Sequence, residues 1–456
     1  MNHPTPGGAA PLERVPLYGE DFAADPHAVY DRLRTYGVCA PVELAPGVGA
    51  TLVTSYRVAL RVLHDTETFS KDPRVWQHTV PQDSEILPML SWRPNALFND
   101  GEVHARLRHA LTDCVALIEP YDLRQLVHQA ADELIQNFGE RGQADLISEY
   151  ARVLPLLIFN GLFGLPPSHS TRLVTAMARM FESESDEAAK GIQELQDYIL
   201  EAVTTKQDRP GNDFTTWLLD HPEGLTAEEV VWQLLLSLSA GHEPVTNLIG
   251  NALARMLSDS RYYRTISSGA LTSHHAITEV LWEDPPMANY SAHYPRRDVD
   301  LEGTWVRAGT PVLISYAAAN TDPTGRRDGP RSDAGAHLSF GAGPHACPMQ
   351  QPGLLIAVTA IDRLTNWLCD IRLSVPYEQL IWRPGPFHRA LAALPASFTP
   401  ISPDQKGSTP WNASPSSSTP AAWTSPARQP ASGRPARPSG SSSPETSGHG
   451  PSPGTT

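Results

Sequence analysis

Apolar residues recur at helical spacing through much of the chain. Within residues 25–37, Val29, Leu33 and Tyr36 share one helical face, and the segment closes on Gly37 in the manner of a C-cap. A strand-like stretch follows over 50–54, and Ser55 then stands where it can cap a helix carrying Val58, Leu60, Val62 and Leu63. Residues 104–138 read as helix with an interruption near Pro120, and 144–163 continue in the helical class. The most informative segment begins at Thr226, which forms a capping box with Glu229 ahead of a long run that is apolar on nearly every side. A helix of that kind belongs in the middle of a protein.

Pro244 lies inside that run. It removes one N–H and its ring crowds the carbonyl of Ala240, so a kink at Ala240–Gly241 is predicted. Beyond it, 276–282 reads as a short helix and 285–316 as short strands with turns, and no internal repeat is visible.

Composition divides the chain. Its 456 residues exceed one ordinary core, but 401–456 are dominated by Ser, Pro, Gly, Thr and Ala and cannot bury enough surface to offset their ordering entropy. The expected organisation is a loose segment over 1–15, one body over 16–400 and a disordered Pro/Ser-rich tail over 401–456. The net charge of −15 becomes −17 on the body once the tail's four bases and two acids are removed, which argues against a nucleic-acid partner. Cys39, Cys114, Cys347 and Cys369 are widely spread without a C-x-x-C pair, which suits a reducing compartment. No basic n-region with an apolar stretch opens the chain, and no run of eighteen apolar residues occurs. A cytoplasmic protein without a membrane partner is expected.

The strongest chemical signal is Phe340-Gly341-Ala342-Gly343-Pro344-His345-Ala346-Cys347. Its glycines allow the backbone to press against a flat ligand, and a helix starting after Cys347 would aim N–H groups at the sulfur and keep it ionised. Read alone, the segment also fits a Gly-rich turn with a buried free cysteine. It resembles the haem-binding loop of cytochromes P-450, F-G-x-G-x-H-x-C, at every fixed position. That resemblance implies haem b (iron protoporphyrin IX) with Cys347 as axial ligand, Phe340, Gly341 and Gly343 as the platform and His345 as a propionate partner.

The likeness extends over about 25–400. His104-Ala105-Arg106-Leu107-Arg108 resembles the family's H-x-x-x-R helix, which implies that His104 and Arg108 face the propionates; the i, i+4 spacing puts both on one helix face. Where the family carries a strand arginine, this chain reads PPMANYSAHYPRRDV, and His293 is the candidate to stand in its place. A surface loop histidine is the alternative there. Ala240-Gly241-His242-Glu243-Pro244 resembles A-G-x-[DE]-T, with Ala240 over the iron and Gly241 and Glu243 in the oxygen-activating motif, but Pro244 replaces the alcohol. Thr246 lies about 200° around a regular helix from that position and substitutes for it only if Pro244 distorts the turn.

Two further departures stand out. Glu279-Val280-Leu281-Trp282 has Trp where E-x-x-R has Arg, and the thirteen residues between Pro323 and His337 hold no P-x-x-F-x-x-x-R. Loss of both halves predicts an ion-pair network replaced by apolar packing. After the cysteine, Pro352 is predicted to interrupt the start of the next helix. Residues 387–395 resemble the family's closing hairpin.

The implied fold is mainly α with a small β-rich lobe, the cytochrome P-450 fold. The implied activity is a monooxygenase inserting one oxygen atom from dioxygen into a small lipophilic substrate, with electrons from NAD(P)H through ferredoxin and ferredoxin reductase. A second reading, prompted by Pro244, keeps the haem but makes the protein a peroxygenase, a ligand sensor or a non-catalytic interaction partner, with the tail as a recruiting element for another protein.

Overall fold

The computed structural model describes residues 13–180, 185–262, 271–324 and 335–402. Most of the expected tail and the stretch between Pro323 and His337, where the arginine partner motif is missing, therefore lie largely outside the described residues. Pairing begins at Val15, the last residue of the expected loose segment, in strand β1 (Val15–Pro16). At the other end Ile401 is buried against Gly139 and donates its N–H to that residue's carbonyl (2.9 Å), so packed chain continues past Pro400.

Local chemistry sets many helix ends. Helix α1 (Pro26–Arg34) has proline at its first position, where a missing N–H costs nothing, and Asp25 accepts from the Ala28 N–H (3.0 Å). Helix α2 (Tyr56–His64) starts after Ser55, whose hydroxyl nevertheless makes no capping bond. The predicted break at Pro120 separates α3 (Gly101–Ala116) from α4 (Pro120–Phe138).

Residues 144–163 are helical over most of their length, as expected, but open on a strand. Strand β5 (Gln143–Asp145) comes first, then a π-helical turn (Ile147–Ala151) and α5 (Leu154–Leu162). Ala144 pairs with Ala396, some 250 positions away in sequence, and that long-range ladder overrides the local pattern.

Two helices, α6 (Ser170–Met180) and α7 (Ser185–Asp208), lead to α8 (Ala227–Ser258), which carries the predicted capping box. Helix α8 continues as one helix through Pro244. Helix α9 (Ser273–Glu283) follows, and α10 (Gln350–Trp367) contains Pro352 in its first turn, where no intrahelical N–H bond is lost. Pro352 thus sits inside the start of the helix and does not interrupt it.

The strands are β2 (Cys39–Ala45), β3 (Val48–Val53), β4 (Phe69–Ser70), β6 (Asn289–Pro295), β7 (Val299–Leu301), β8 (Thr304–Val306), β9 (Val312–Ser315), β10 (Arg372–Leu373) and β11 (Pro395–Ser397). They form a six-stranded sheet ordered β1-β2-β3-β9-β6-β4, a three-stranded sheet β10-β11-β5 and the hairpin β7-β8. Alternation along β9 sends Leu313 into one apolar cluster with Leu33, Val42 and Leu52, and sends Val312 and Ile314 into another with Val58 and Val62. A larger helical core gathers around α8, with Leu234, Leu238, Ile249 and Leu253 beside Ala357 and Ile361 of α10. The expectation of a mainly helical fold with a small β-rich lobe is met. No helix among the described residues is long and apolar enough to cross a membrane.

Candidate functional site

The Phe340–Cys347 loop is closed by its own backbone. Gly341 donates to Leu338 O (2.7 Å), Ala346 to Gly343 O (3.1 Å) and Cys347 to Phe340 O (2.8 Å). Gly341 and Gly343 both adopt φ +70°, which side chains rarely tolerate. At Gly343 a Cβ would also lie 2.3 Å from the Leu63 carbonyl oxygen at the end of α2, so this position is glycine for two reasons. Phe340 is half-buried, its ring 5.9 Å from that of His337.

Cys347 is exposed, in contrast to the buried Cys39 and Cys114. Its thiol is raised above the ordinary value by burial of its surroundings, while the Met349 N–H and the Arg108 charge pull it the other way. Backbone at the start of α10 therefore does address the sulfur. Arg108 itself donates to the Ala346 carbonyl, which ties α3 to the loop.

Beside the loop, His104 and His345 stack with ring centroids 3.9 Å apart. Burial, then the charges of His345 and Arg108, push His104 down to about 4, and its Nε2 is buried without a protein partner. His345 Nε2 lies 3.7 Å from Asp100. Although burial opposes it, bonds from His345, Ser70 and the Lys71 N–H hold Asp100 at about 2. His293 is buried on β6 with Nδ1 2.6 Å from Ser291 O, and burial followed by the Lys71 charge keeps it well below the usual imidazole range. The structure thus gathers His104, His293 and His345 around the Asp100 carboxylate, with Arg108 close to His104 and His345.

Helix α8 contributes differently. Ser239 and Ala240 are exposed in the middle of a helix that is otherwise largely covered, while Val245, nearby on α8, reaches the Gly353 position of α10. Gly241 faces Phe159: a Cβ there would lie 2.4 Å from the ring Cζ, so packing accounts for this glycine. Glu243 is buried and ion-paired with Arg383. Thr246 is buried at 2% exposure, with its hydroxyl unpartnered by protein. Two residues beyond Pro244 in the same continuous helix, Thr246 stands about 200° around from the position of the missing alcohol.

The E-x-x-R region is rebuilt, and charge survives there. Glu279 binds Arg255 of α8 (2.6 Å) and Arg261 (3.3 Å), so its ion pair has moved and has not been replaced by apolar packing as predicted. Trp282 itself is apolar in role, its ring meeting His337 edge-on at 5.8 Å with Nε1 unpartnered. Sequence reading missed Lys71, Asp100 and Arg383. None lies at a diagnostic spacing, and only the fold brings them to the site.

No family model matches the chain. A curated relative, the cytochrome P-450 monooxygenase PikC of Streptomyces venezuelae, is 31% identical over 84% of this chain and 94% of its own length. The chain belongs to the cytochrome P-450 family. The vitamin D(3) 25-hydroxylase of Pseudonocardia autotrophica is 27% identical over 86% of this P-450 and 98% of the relative. Among solved structures, CYP154C4 from Streptomyces sp. ATCC 11861 superposes with a TM-score of 0.75 at 26% identity, covering 85% of this chain and 98% of the other.

Membership brings haem as cofactor, and the residues present fit it. An accessible thiol stands on a glycine platform, and beside it an orphaned His104 nitrogen belongs to a cluster with more basic groups than acids. Such a cluster suits a ligand bearing two carboxylates. The protein is a cytochrome P-450 oxidoreductase of the monooxygenase class.

Proposed function

We propose that this P-450 inserts one atom of dioxygen into a small lipophilic substrate, with electrons delivered from NAD(P)H by a ferredoxin and its reductase. The observation that carries this reading is Cys347, exposed at the end of the Gly341–Gly343 platform with the Met349 N–H and Arg108 beside its sulfur. Haem, when bound, supplies the oxygen chemistry and the red-shifted absorption that thiolate ligation gives. Cys347 would hold its iron, while His104, Arg108 and His345 would hold the propionates, with buried His293 as a neutral neighbour. Exposed Ala240 would border the substrate space, and the apolar surroundings of α8 would exclude water. The name of the 25-hydroxylase relative, an enzyme of vitamin D(3), points the same way for the substrate class.

Glu243 and Pro244 set the terms of proton delivery. Pro244 has no proton to give, and the Glu243 carboxylate is occupied by Arg383. A substrate hydroxyl or an ordered water is therefore the expected relay.

The test is the carbon monoxide spectrum of the reduced, purified protein beside that of Cys347→Ala. A red-shifted Soret band in the wild type that disappears in the variant supports the assignment, and its persistence in the variant refutes it. Turnover with a surrogate ferredoxin and reductase then tests the electron route.

A further inference from the structure

Lys71 is buried at 3% exposure, directly after β4. Strand β4 pairs antiparallel with β6 through Phe69↔Pro295 and Ser70↔Tyr294, so the next step of the same register sets Lys71 opposite His293. Between Tyr290 and His293 strand β6 bulges, with Ser291 at φ +58°, a conformation that a non-glycine residue adopts only when its surroundings hold it. That bulge presents two acceptors to the lysine: the Ala292 carbonyl (2.8 Å) and the Ser291 hydroxyl (3.2 Å).

An ammonium has three N–H donors, and these acceptors take two of them. No carboxylate among the described residues pairs with the Lys71 side chain. Asp100 accepts its backbone N–H (3.1 Å), but the same carboxylate already serves Ser70, Arg296 (2.9 Å) and His345 (3.7 Å). A buried cation without a bonded counter-charge is costly, and two neutral acceptors do not remove that cost. Burial pushes this lysine down to about 7, and the nearby Asp100 charge, which makes no bond to the ammonium, opposes that only in part. The missing partner is an anion.

We propose that Lys71 is a haem propionate ligand, its ammonium steered by the β6 bulge toward the place where His104 and His345 meet. The assignment rests on the haem reading above. It also accounts for the strand: buried, neutral His293 supplies no cation there, and Lys71, across from it, does. The charge has moved from one strand to its neighbour.

The experiment is a cycle on the full-length protein. Wild type and Lys71→Gln are each loaded with haem or with haem dimethyl ester, whose carboxylates are blocked, and the rate of transfer to excess apomyoglobin is measured. Haem should leave Lys71→Gln roughly tenfold to a hundredfold faster than wild type, the range for a lost hydrogen bond to a charged group. The dimethyl ester should leave both at the same rate. Equal acceleration for haem and ester, or none for haem, overturns the proposal and makes Lys71 a packing residue. Should Lys71→Gln not fold, Lys71→Met completes the same cycle. A wild type that takes up no haem overturns the haem assignment itself, an outcome distinct from normal uptake without dependence on Lys71.

Discussion

Glu243 of helix α8 and Arg383 of the C-terminal hairpin form an ion pair across 140 positions of sequence. The hairpin backbone fixes the arginine, since Arg383 donates its N–H to Ala390 O (2.8 Å). Burial, then the nearby Arg152 charge, pushes the Arg383 guanidinium down to about 10. The acid of the A-G-x-[DE] motif is thereby anchored from outside its own helix.

Removing both partners should cost less than the sum of removing each. Arg383→Met leaves a buried carboxylate without its cation and should lose about 1–3 kcal/mol. The double variant Glu243→Gln/Arg383→Met should lose clearly less than the two single losses added together. Thermal unfolding of the four holoproteins measures this, and strict additivity would show that the pair is not coupled.

Gly241 makes a separate prediction, because its Cα faces the Phe159 ring. Gly241→Ala drives a methyl to 2.4 Å from Cζ and should destabilise by about 1–3 kcal/mol. Phe159→Leu in the same chain should recover most of that loss. If the alanine variant melts like wild type, the glycine is there for another reason.

Pro244→Thr restores the alcohol within the continuous helix α8. Exchanging an interior proline for threonine should raise stability, the proline penalty being about 3 kcal/mol before compensation. It should also raise the product formed per NAD(P)H oxidised, measured with a substrate that shifts the spin state of the iron. Tight coupling of the wild type on a substrate lacking any hydroxyl would refute the inference that this helix lacks a relay of its own.

A pH-dependent contribution comes from His27, which bonds Asp284 at 3.2 Å and whose neighbours also include Arg389 and Glu283. The bond to Asp284 raises its pKa above 6.5 despite opposing burial. A raised folded-state value means that the stabilisation is complete below the unfolded value near 6.5 and disappears as pH rises through the folded one. The melting-temperature gap between wild type and His27→Gln should therefore be wider at pH 5.5 than at pH 9. A gap that widens with pH contradicts the assignment.

Features that rest on local periodicity and short spacing can be read directly from the chain. The break at Pro120, the capping box at Thr226 and Glu229, the glycine loop ending at Cys347 and the His104–Arg108 pair are legible because each depends on residues a few positions apart. Tertiary structure alone decided the rest. Ala144 became a strand because Ala396 was there to pair with it, Glu279 kept an ion pair because Arg255 of another helix reached it, and Gly241 was spoken for by Phe159. Lys71 owes its surroundings to a bulge 220 positions away in sequence. Burial and charge pairing are properties of neighbours in space, and the energy that fixes them is absent until distant segments have come together.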